Sequence, residues 1–454
     1  MGNLSFEHKD ILVCGMAKSG VSAAKLLNNM GANVTLSDIK PEAEFEKEVL
    51  DLKEEGIKLY CGKNPDDIID GFDYVVLSPG IDKSLPFVKK AEELHIPIIG
   101  EIELGYIFTP CNIIGITGTN GKTTTTALTG EIFKTEYPGT QVVGNIGVPY
   151  CGKVMELNYN DWVVAELSSF QLESIIDFKP KISAVLNITP DHLNRHKTME
   201  NYIAAKENIF KNQLYEDFTV LNYECEYCRA MEKKTRARVM FFSSKRKLDA
   251  GIYIEDDNII VKWNGINEKL INVNELNILG EHNYENAMAA SCMALCAGIS
   301  LENIRKTLRS FVAVEHRIEF VRSFEGVDYY NDSKGTNPDA AIKAVKAMRK
   351  PVVLIGGGYD KKSDYTEWIL SFENKVKSLV LIGETAKEIE KTARENGFNS
   401  VKNANSFEEA ILMAKEDAKE GDCVLLSPAC ASWDMFKNYE ERGRIFKEFV
   451  RSFK

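Results

Sequence analysis

The apolar positions of the chain gather in short unbroken runs, each ending in a glycine-bearing turn and followed by residues of helical period. ILVCG (Ile11 to Gly15) leads through MAKSG into a helix whose apolar positions Val21, Ala24 and Leu27 follow a three-residue spacing. NVTLSD, ending at Asp38, reads as the next strand, and the alternation predicts a βαβ unit of a parallel sheet. Tyr74 to Leu77 is a further strand running into the turn Ser78-Pro79-Gly80, and Ile96 to Ile99 another after His95. The same order recurs where NIIGITG enters GKTTTTALTGEIF, ahead of a mixed region holding the strands WVVAELSS and ISAVLNIT. It recurs again beyond Phe311, in VDYYND, PVVLIGGG, SLVLIGET and CVLLSPA. The pattern predicts three α/β domains, 1–109, 110–313 and 314–454, each a mostly parallel sheet flanked by helices.

A length of 454 residues suits three such domains, each large enough for its own core. No apolar run approaches the roughly 20 residues of a membrane span. The amino terminus, MGNLSFEHKDILVCG, lacks the basic stretch of a secretory signal, so the cytoplasm is the expected location. A net charge of −11 argues against nucleic-acid and membrane-surface partners, which select basic faces. The ten cysteines are scattered, as reduced thiols are. Cys225 and Cys228 alone have CxxC spacing, open to zinc binding or to ordinary thiol chemistry, and no second pair completes a zinc ribbon.

The sharpest local signal is TGTNGKTTT, with Gly118, Thr119, Asn120, Gly121, Lys122, Thr123 and Thr124 between an apolar strand and a helix. Glycines let backbone amides approach phosphate oxygens, and a helix N-terminus adds partial positive charge. Lys122 can reach the β and γ phosphates, and the Thr123 hydroxyl can hold Mg²⁺. Ile116 stands where the commoner loop has its first glycine, so this is the tighter GxxGKT form. GMAKSG in the first domain is weaker. Gly15, Ala17 and Gly20 stand where GxGxxG would, and Asp38 lies 18 residues beyond Gly20, a spacing that suits an acid reaching a ribose. A dinucleotide site, a non-redox nucleotide site and a structural turn all remain open there.

An ATP site needs a strand-end acid for magnesium, and Glu166 closes the apolar run WVVAE. In NITPDHLNRH, His192 and His196 are four apart, but Leu193 stands where a zinc protease carries glutamate, so a lone His192 facing a metal or phosphate fits better. TMENYIAAKENIF has apolar residues at Met199, Tyr202, Ile203, Ile209 and Phe210, and Lys206 falls inside that stripe. Such a lysine either snorkels to water or is held inward for chemistry.

In this order and at these separations, TGTNGKTTT, AELSSFQLE, DHLNRH and YIAAKENIF resemble the Mur ligases. GEHNYENAMAA, EHRIE, NDSKGTNP, IGGGYDKKSD and SPACASWDMF extend the resemblance along the whole chain, and it is nearest to members that add D-glutamate. The resemblance implies Rossmann-like first and third domains around a P-loop ATP-binding domain, working as a monomer. It implies ATP, two Mg²⁺ ions and a carbamylated lysine as cofactors, with UDP-N-acetylmuramoyl-L-alanine and D-glutamate as substrates. Lys122, Glu166, His192 and Lys206 would be catalytic. Thr123, Glu166, His192 and the Lys206 carbamate would ligate metal. ATP would also meet Asn283 and Asn286 on its adenine side, and Arg317, Asp332 and Lys334 from the third domain. The uridine substrate would meet Ser19, Asp38, Ser78, Pro79, Gly80 and Asn145, and the amino acid Thr336, Lys361, Ser432 and Tyr439. Lys362 competes with Lys361, which register favours.

Other classes fit less well. A diaminopimelate-adding relative would carry DNPR, which is absent. Folylpolyglutamate synthase shares the ATP core but not this type of first domain. A hydrolytic switch needs DxxG soon after the phosphate loop and a base-reading NKxD; the only DxxG is Asp332 to Gly335, and NKxD is absent. A plain nucleotide-binding module would have no need of Glu166, His192 and Lys206 together.

Overall fold

The computed structural model describes residues 6–145, 147–312, 315–360 and 362–454. Three sheets are present. The first contains β1 (Asp10–Cys14), β2 (Asn33–Asp38), β3 (Lys58–Cys61), β4 (Tyr74–Leu77) and β5 (Ile98–Gly100) in the order β3-β2-β1-β4-β5, all parallel. Burial on both faces follows from the two-residue period of a strand: Ile11 and Val13 join one apolar cluster, Leu12 and Cys14 another. β5 begins at Ile98 rather than Ile96. Helix Pro86–Glu93 ends with His95 at φ +57, and the Ile96 amide closes back on the Ala91 carbonyl, so Ile96 belongs to the helix stop.

The second sheet runs from β6 (Asn112–Thr117), β7 (Gln141–Gly144), β8 (Trp162–Glu166), β9 (Ile182–Val185), β10 (Phe218–Asn222) and β11 (Arg238–Ser243) to β12 (Gly251–Glu255), β13 (Asn258–Trp263) and β14 (Ile266–Asn272). Its order is β14-β13-β12-β11-β10-β9-β6-β8-β7, with antiparallel pairing only among the last three strands. This terminal meander is unanticipated, although its turns carry a mechanism. Asp256-Asp257 and Asn264-Gly265 all have positive φ, as two-residue hairpin turns require.

The third sheet holds β15 (Glu319–Phe324), β16 (Val327–Asn331), β17 (Val352–Gly356), β18 (Val376–Leu381), β19 (Val401–Asn403) and β20 (Cys423–Leu426), ordered β15-β16-β20-β17-β18-β19 and parallel but for β15. Val352 and Leu354 face one cluster, Val353 and Ile355 the other. The chain divides into two compact units, one reaching Asn272 and including Glu285–Thr307, the other Val273–Tyr284 with Leu308–Lys454. Two sheets share the first unit because one apolar cluster runs from Ile11 and Val34 to Ile113 and Val163. Polar ties reinforce it: the buried Glu103 carboxylate accepts the amides of Ile176, Asp177 and Phe178. No described helix is long and apolar enough to cross a membrane.

Candidate active site

The phosphate loop leaves β6 at Thr117 and enters helix Lys122–Lys134. Gly118 has φ +151 and Gly121 φ +85, values that side chains resist. A Cβ on Gly121 would lie 2.3 Å from Asn286 Oδ1, which also accepts the Thr125 hydroxyl at 3.2 Å. Asn187, Ile188 and Thr189, just beyond β9, clasp the loop. Asn187 pairs its amide with the Asn120 backbone at 2.8 and 3.0 Å, the Thr119 amide donates to the Asn187 carbonyl, and the Thr189 amide donates to Thr119 Oγ1. Tyr202 reaches the same hydroxyl at 3.1 Å.

No side chain caps the helix at Gly121 and no acid lies in its first turn, so its leading amides suit an anion. Thr124 Oγ1 is buried without a partner there. These features fit a phosphate group.

Two lysine amines converge on one carbonyl. Lys122 Nζ donates to Gly118 O at 2.8 Å and to Thr119 O at 2.9 Å. Lys206 Nζ donates to the same Gly118 O at 2.9 Å and to Thr117 Oγ1 at 3.3 Å, 4.8 Å from the Tyr202 ring centre. Lys206 is only 2% exposed, so it does not snorkel. Burial, and then repulsion from Lys122, bring its amine down to about 7, with Asp191 and Glu166 acting the other way. Asp191 is a charge beside this amine that sequence reasoning passed over, though it adjoins His192.

Glu166 is buried at the end of β8, in register with Ile116 of β6. Its Oε1 accepts Asn145 Nδ2 at 3.0 Å, and its carbonyl accepts the Asn145 amide. His192, at φ +52, is exposed beside Asp191 and edge-on to Phe170. His196 is structural: Nε2 meets Ser169 Oγ at 2.9 Å, Nδ1 meets Glu173, the ring stacks on Phe170, and burial lowers its basicity. Among the described residues no three His, Cys, Asp or Glu side chains form a ready cage, so a metal here would draw on phosphate or other added oxygens.

The first domain carries a cavity of about 420 Å³ at the C-terminal ends of β1, β2 and β4, where strand order reverses. Asp38 and Gly80 line it, with Gly15, Lys63 and Asn64; Ser19, Ser78 and Pro79 do not. Ser78 Oγ is buried against the Gly15 turn. Asp38 is partly committed, since its oxygens accept the amides of Met16 at 2.9 Å and Lys40 at 3.1 Å.

In the second unit Asp332 is fully enclosed, accepting Ser427 Oγ at 2.7 Å and the Ile318 amide at 3.2 Å, and burial raises it to about 7 against the pull of Arg317. Lys334 Nζ stands 5.7 Å from the Tyr439 ring, whose backbone carbonyl takes the Ser333 hydroxyl. The buried Arg442, absent from the sequence-based set, ties Ser333 to the carbonyls of Cys430 and Ala431 beside buried Ser432. Thr336 is half-buried. Asn283 is buried and donates to the Leu279 carbonyl. Lys361 lies outside the described residues; Lys362 has φ +57, its amide on Asp360.

Residues 9–100 match the Mur ligase MurD-like N-terminal domain, 116–294 the Mur ligase middle domain, and 316–430 the Mur ligase glutamate ligase domain. The UDP-N-acetylmuramoylalanine–D-glutamate ligase of Thermoanaerobacter pseudethanolicus is 50% identical, over 98% of this chain and 99% of its own. The chain belongs to the Mur ligase family. That of Clostridioides difficile is 47% identical over 99% and 100% of the two chains. Among solved structures, the UDP-N-acetylmuramate–alanine ligase of Thermotoga maritima has the same fold, with a TM-score of 0.60 at 20% identity over 98% of this chain and 100% of that one. Mur ligases as a family depend on ATP and require magnesium.

Proposed function

We propose that the chain joins D-glutamate to UDP-N-acetylmuramoyl-L-alanine at the expense of ATP, in peptidoglycan precursor synthesis, as a monomer in the cytoplasm. The observation that carries this reading is the buried Lys206 amine on the carbonyl of the phosphate loop, which a switch or a plain binding module would not need. The substrate follows from the 50% identity to a D-glutamate-adding enzyme over nearly the whole chain.

In the first step a carboxylate oxygen of the L-alanine unit attacks the γ-phosphorus and the bond to ADP breaks. The D-glutamate amine then attacks the acyl carbon, phosphate leaves, and the amine proton passes to that phosphate. Gly118 to Thr124, with Asn286, hold the triphosphate, and Lys122 follows the γ-phosphoryl group. Lys206 in its neutral form adds CO₂, forming an N–C bond and releasing a proton, and so presents oxygens in place of an ammonium. Thr123, Glu166, His192 and that carbamate would hold two Mg²⁺ ions, which would supply charge neutralisation at the phosphates when bound. Asn145 positions the muramoyl end, and the first-domain cavity with Asp38 and Gly80 takes the uridine end; Ser19, Ser78 and Pro79 lie outside its lining and are not assigned a contact with the substrate. Asn283, Arg317, Asp332 and Lys334 are assigned to ATP. Thr336, Lys361, Ser432 and Tyr439 are assigned to the amino acid, whose two carboxylates need a cation and hydroxyl donors.

Phosphate release across a panel of nucleotide substrates and amino acids tests the reading. Turnover should require UDP-N-acetylmuramoyl-L-alanine together with D-glutamate. Turnover with ATP alone, or preference for another amino acid, overturns it. Sedimentation should give the mass of one chain.

A further inference from the structure

The Cys225–Cys228 pair takes no part in the chemistry above, yet it sits against the loop clasp. Cys225 is the N-cap of helix Glu226–Ala230 and Cys228 is its third residue, positions whose side chains face each other. The Cys225 sulfur accepts the Ile188 amide at 3.4 Å and lies 3.9 Å from the Ile188 carbonyl oxygen. Ile188 is the middle residue of the clasp, between Asn187 and Thr189, which hold Asn120 and Thr119. Cys225 is half-buried and Cys228 fully buried, with Lys206 near enough for its charge to act on Cys228.

We propose that Cys225 and Cys228 form a peroxide-oxidisable dithiol whose disulfide loosens the Asn187–Thr189 clasp and weakens ATP binding at the phosphate loop. The inference rests on that loop being the ATP site. The Cys225 thiolate attacks a peroxide oxygen, giving a sulfenic acid and water after protonation. The Cys228 sulfur then displaces the hydroxyl as water, so two thiols lose two electrons and two protons to the peroxide. Hydrogen bonds from Cys228 and from backbone amides bring Cys225 down to about 6, so the attacking form is present at neutral pH.

A disulfide needs its Cβ atoms about 3.5–4.5 Å apart, whereas residues three apart on a helix hold them at about 5–6 Å. Closure therefore draws the Cys225 sulfur toward Cys228 and away from the Ile188 amide. The neutral disulfide is also a poorer acceptor than the thiolate it replaces.

Both cysteines lie between Lys211 and Arg229, so one tryptic peptide reports the bond. After treatment of the whole protein with hydrogen peroxide, that peptide should lose two hydrogens, and dithiothreitol should restore them. ATP affinity, titrated directly without the other substrates, should fall about tenfold on oxidation, recover on reduction, and stay constant in Cys225→Ser and in Cys228→Ala. A peptide that keeps its thiols, or a disulfide that leaves ATP affinity unchanged, overturns the proposal. So does an equal peroxide loss in both variants. Absence of ATP binding by the reduced protein would instead count against the assignment of the loop.

Discussion

The first domain and the central domain open with the same device, a strand, a glycine turn and a helix, and the two copies are built differently. In the first, Asp38 ties the turn down through the Met16 amide, and a Cβ on Gly20 would lie 1.8 Å from the Gly15 carbonyl oxygen. The turn is packed shut and Ala17 stands at the helix N-cap. In the central domain Gly121 stands at the helix N-cap with φ +85, and a lysine begins the helix. Lys18 holds the equivalent first position in the first domain and is exposed, while Lys122 folds onto the loop. One motif presents a loop whose features fit a phosphate. The other displaces its cavity to the strand reversal beside it. A Gly-rich turn is therefore informative only together with what closes it.

The difference is broken most severely at the lysines. Lys122→Ala should lower kcat/KM about 10³-fold in phosphate release, while Lys18→Ala should change it by less than about twofold. Lys206→Arg keeps stem and charge but cannot form a carbamate, and it should be nearly as damaging as Lys122→Ala. Lys206→Ala should regain part of its turnover with added acetate or formate. Arginine at 206 with ordinary turnover in bicarbonate-free buffer would sink the carbamate.

Glycine substitutions separate cradle from packing. Gly121→Ala should raise the KM for ATP about 10–100-fold through strain and the clash with Asn286, with the uridine substrate unaffected. Gly20→Ala meets backbone that cannot yield, so its effect should be a lowered melting temperature with the ATP KM unchanged in the folded fraction. If Gly20→Ala impairs ATP and leaves stability alone, the two turns have been assigned the wrong way round. A milder perturbation is Asp38→Asn, which weakens the charge-assisted hold on Met16. It should raise the KM for the uridine substrate about tenfold and leave that for ATP unchanged.

Three mostly parallel sheets and the strand–glycine turn–helix unit at Gly118 to Lys122 were legible because each rests on local chemistry: apolar runs, a period change and glycines at fixed offsets. Lys206 marks where local chemistry ends. Its helical stripe allowed both an inward and an outward amine, and burial was settled only by Thr117 and Gly118, 89 and 88 positions away. The clasp at Asn187 and the arginine at 442 were missed for the same reason, since each bridges segments far apart in sequence. The antiparallel meander was missed for another: Asn264-Gly265 is a recognisable hairpin turn, but it lay in a stretch read for helix-flanked strands.

The finest test of the central site concerns the charge around Lys206. Its amine lies near 7, first because burial disfavours the ammonium and second because Lys122 adds a like charge. Only the neutral amine adds CO₂. Carbamate should therefore be scarce below pH 6 and rise as pH passes through about 7, read as a carbamate resonance with ¹³C-labelled bicarbonate and no other substrate. Removing the neighbours should move that rise in opposite directions. Lys122→Met takes away a positive charge, stabilises the ammonium and shifts the rise to higher pH. Glu166→Gln takes away a negative charge, destabilises the ammonium and shifts it lower. At the effective dielectric that suits protein charge pairs, each change should alter carbamate occupancy at pH 7 by only about a few fold, less than the losses expected of the substitutions in the two glycine turns and at Asp38. General damage to the loop would move both variants the same way. Opposite movement follows only if these three groups share one field, and a wild-type protein with no carbamate resonance at any pH would remove the basis of the scheme.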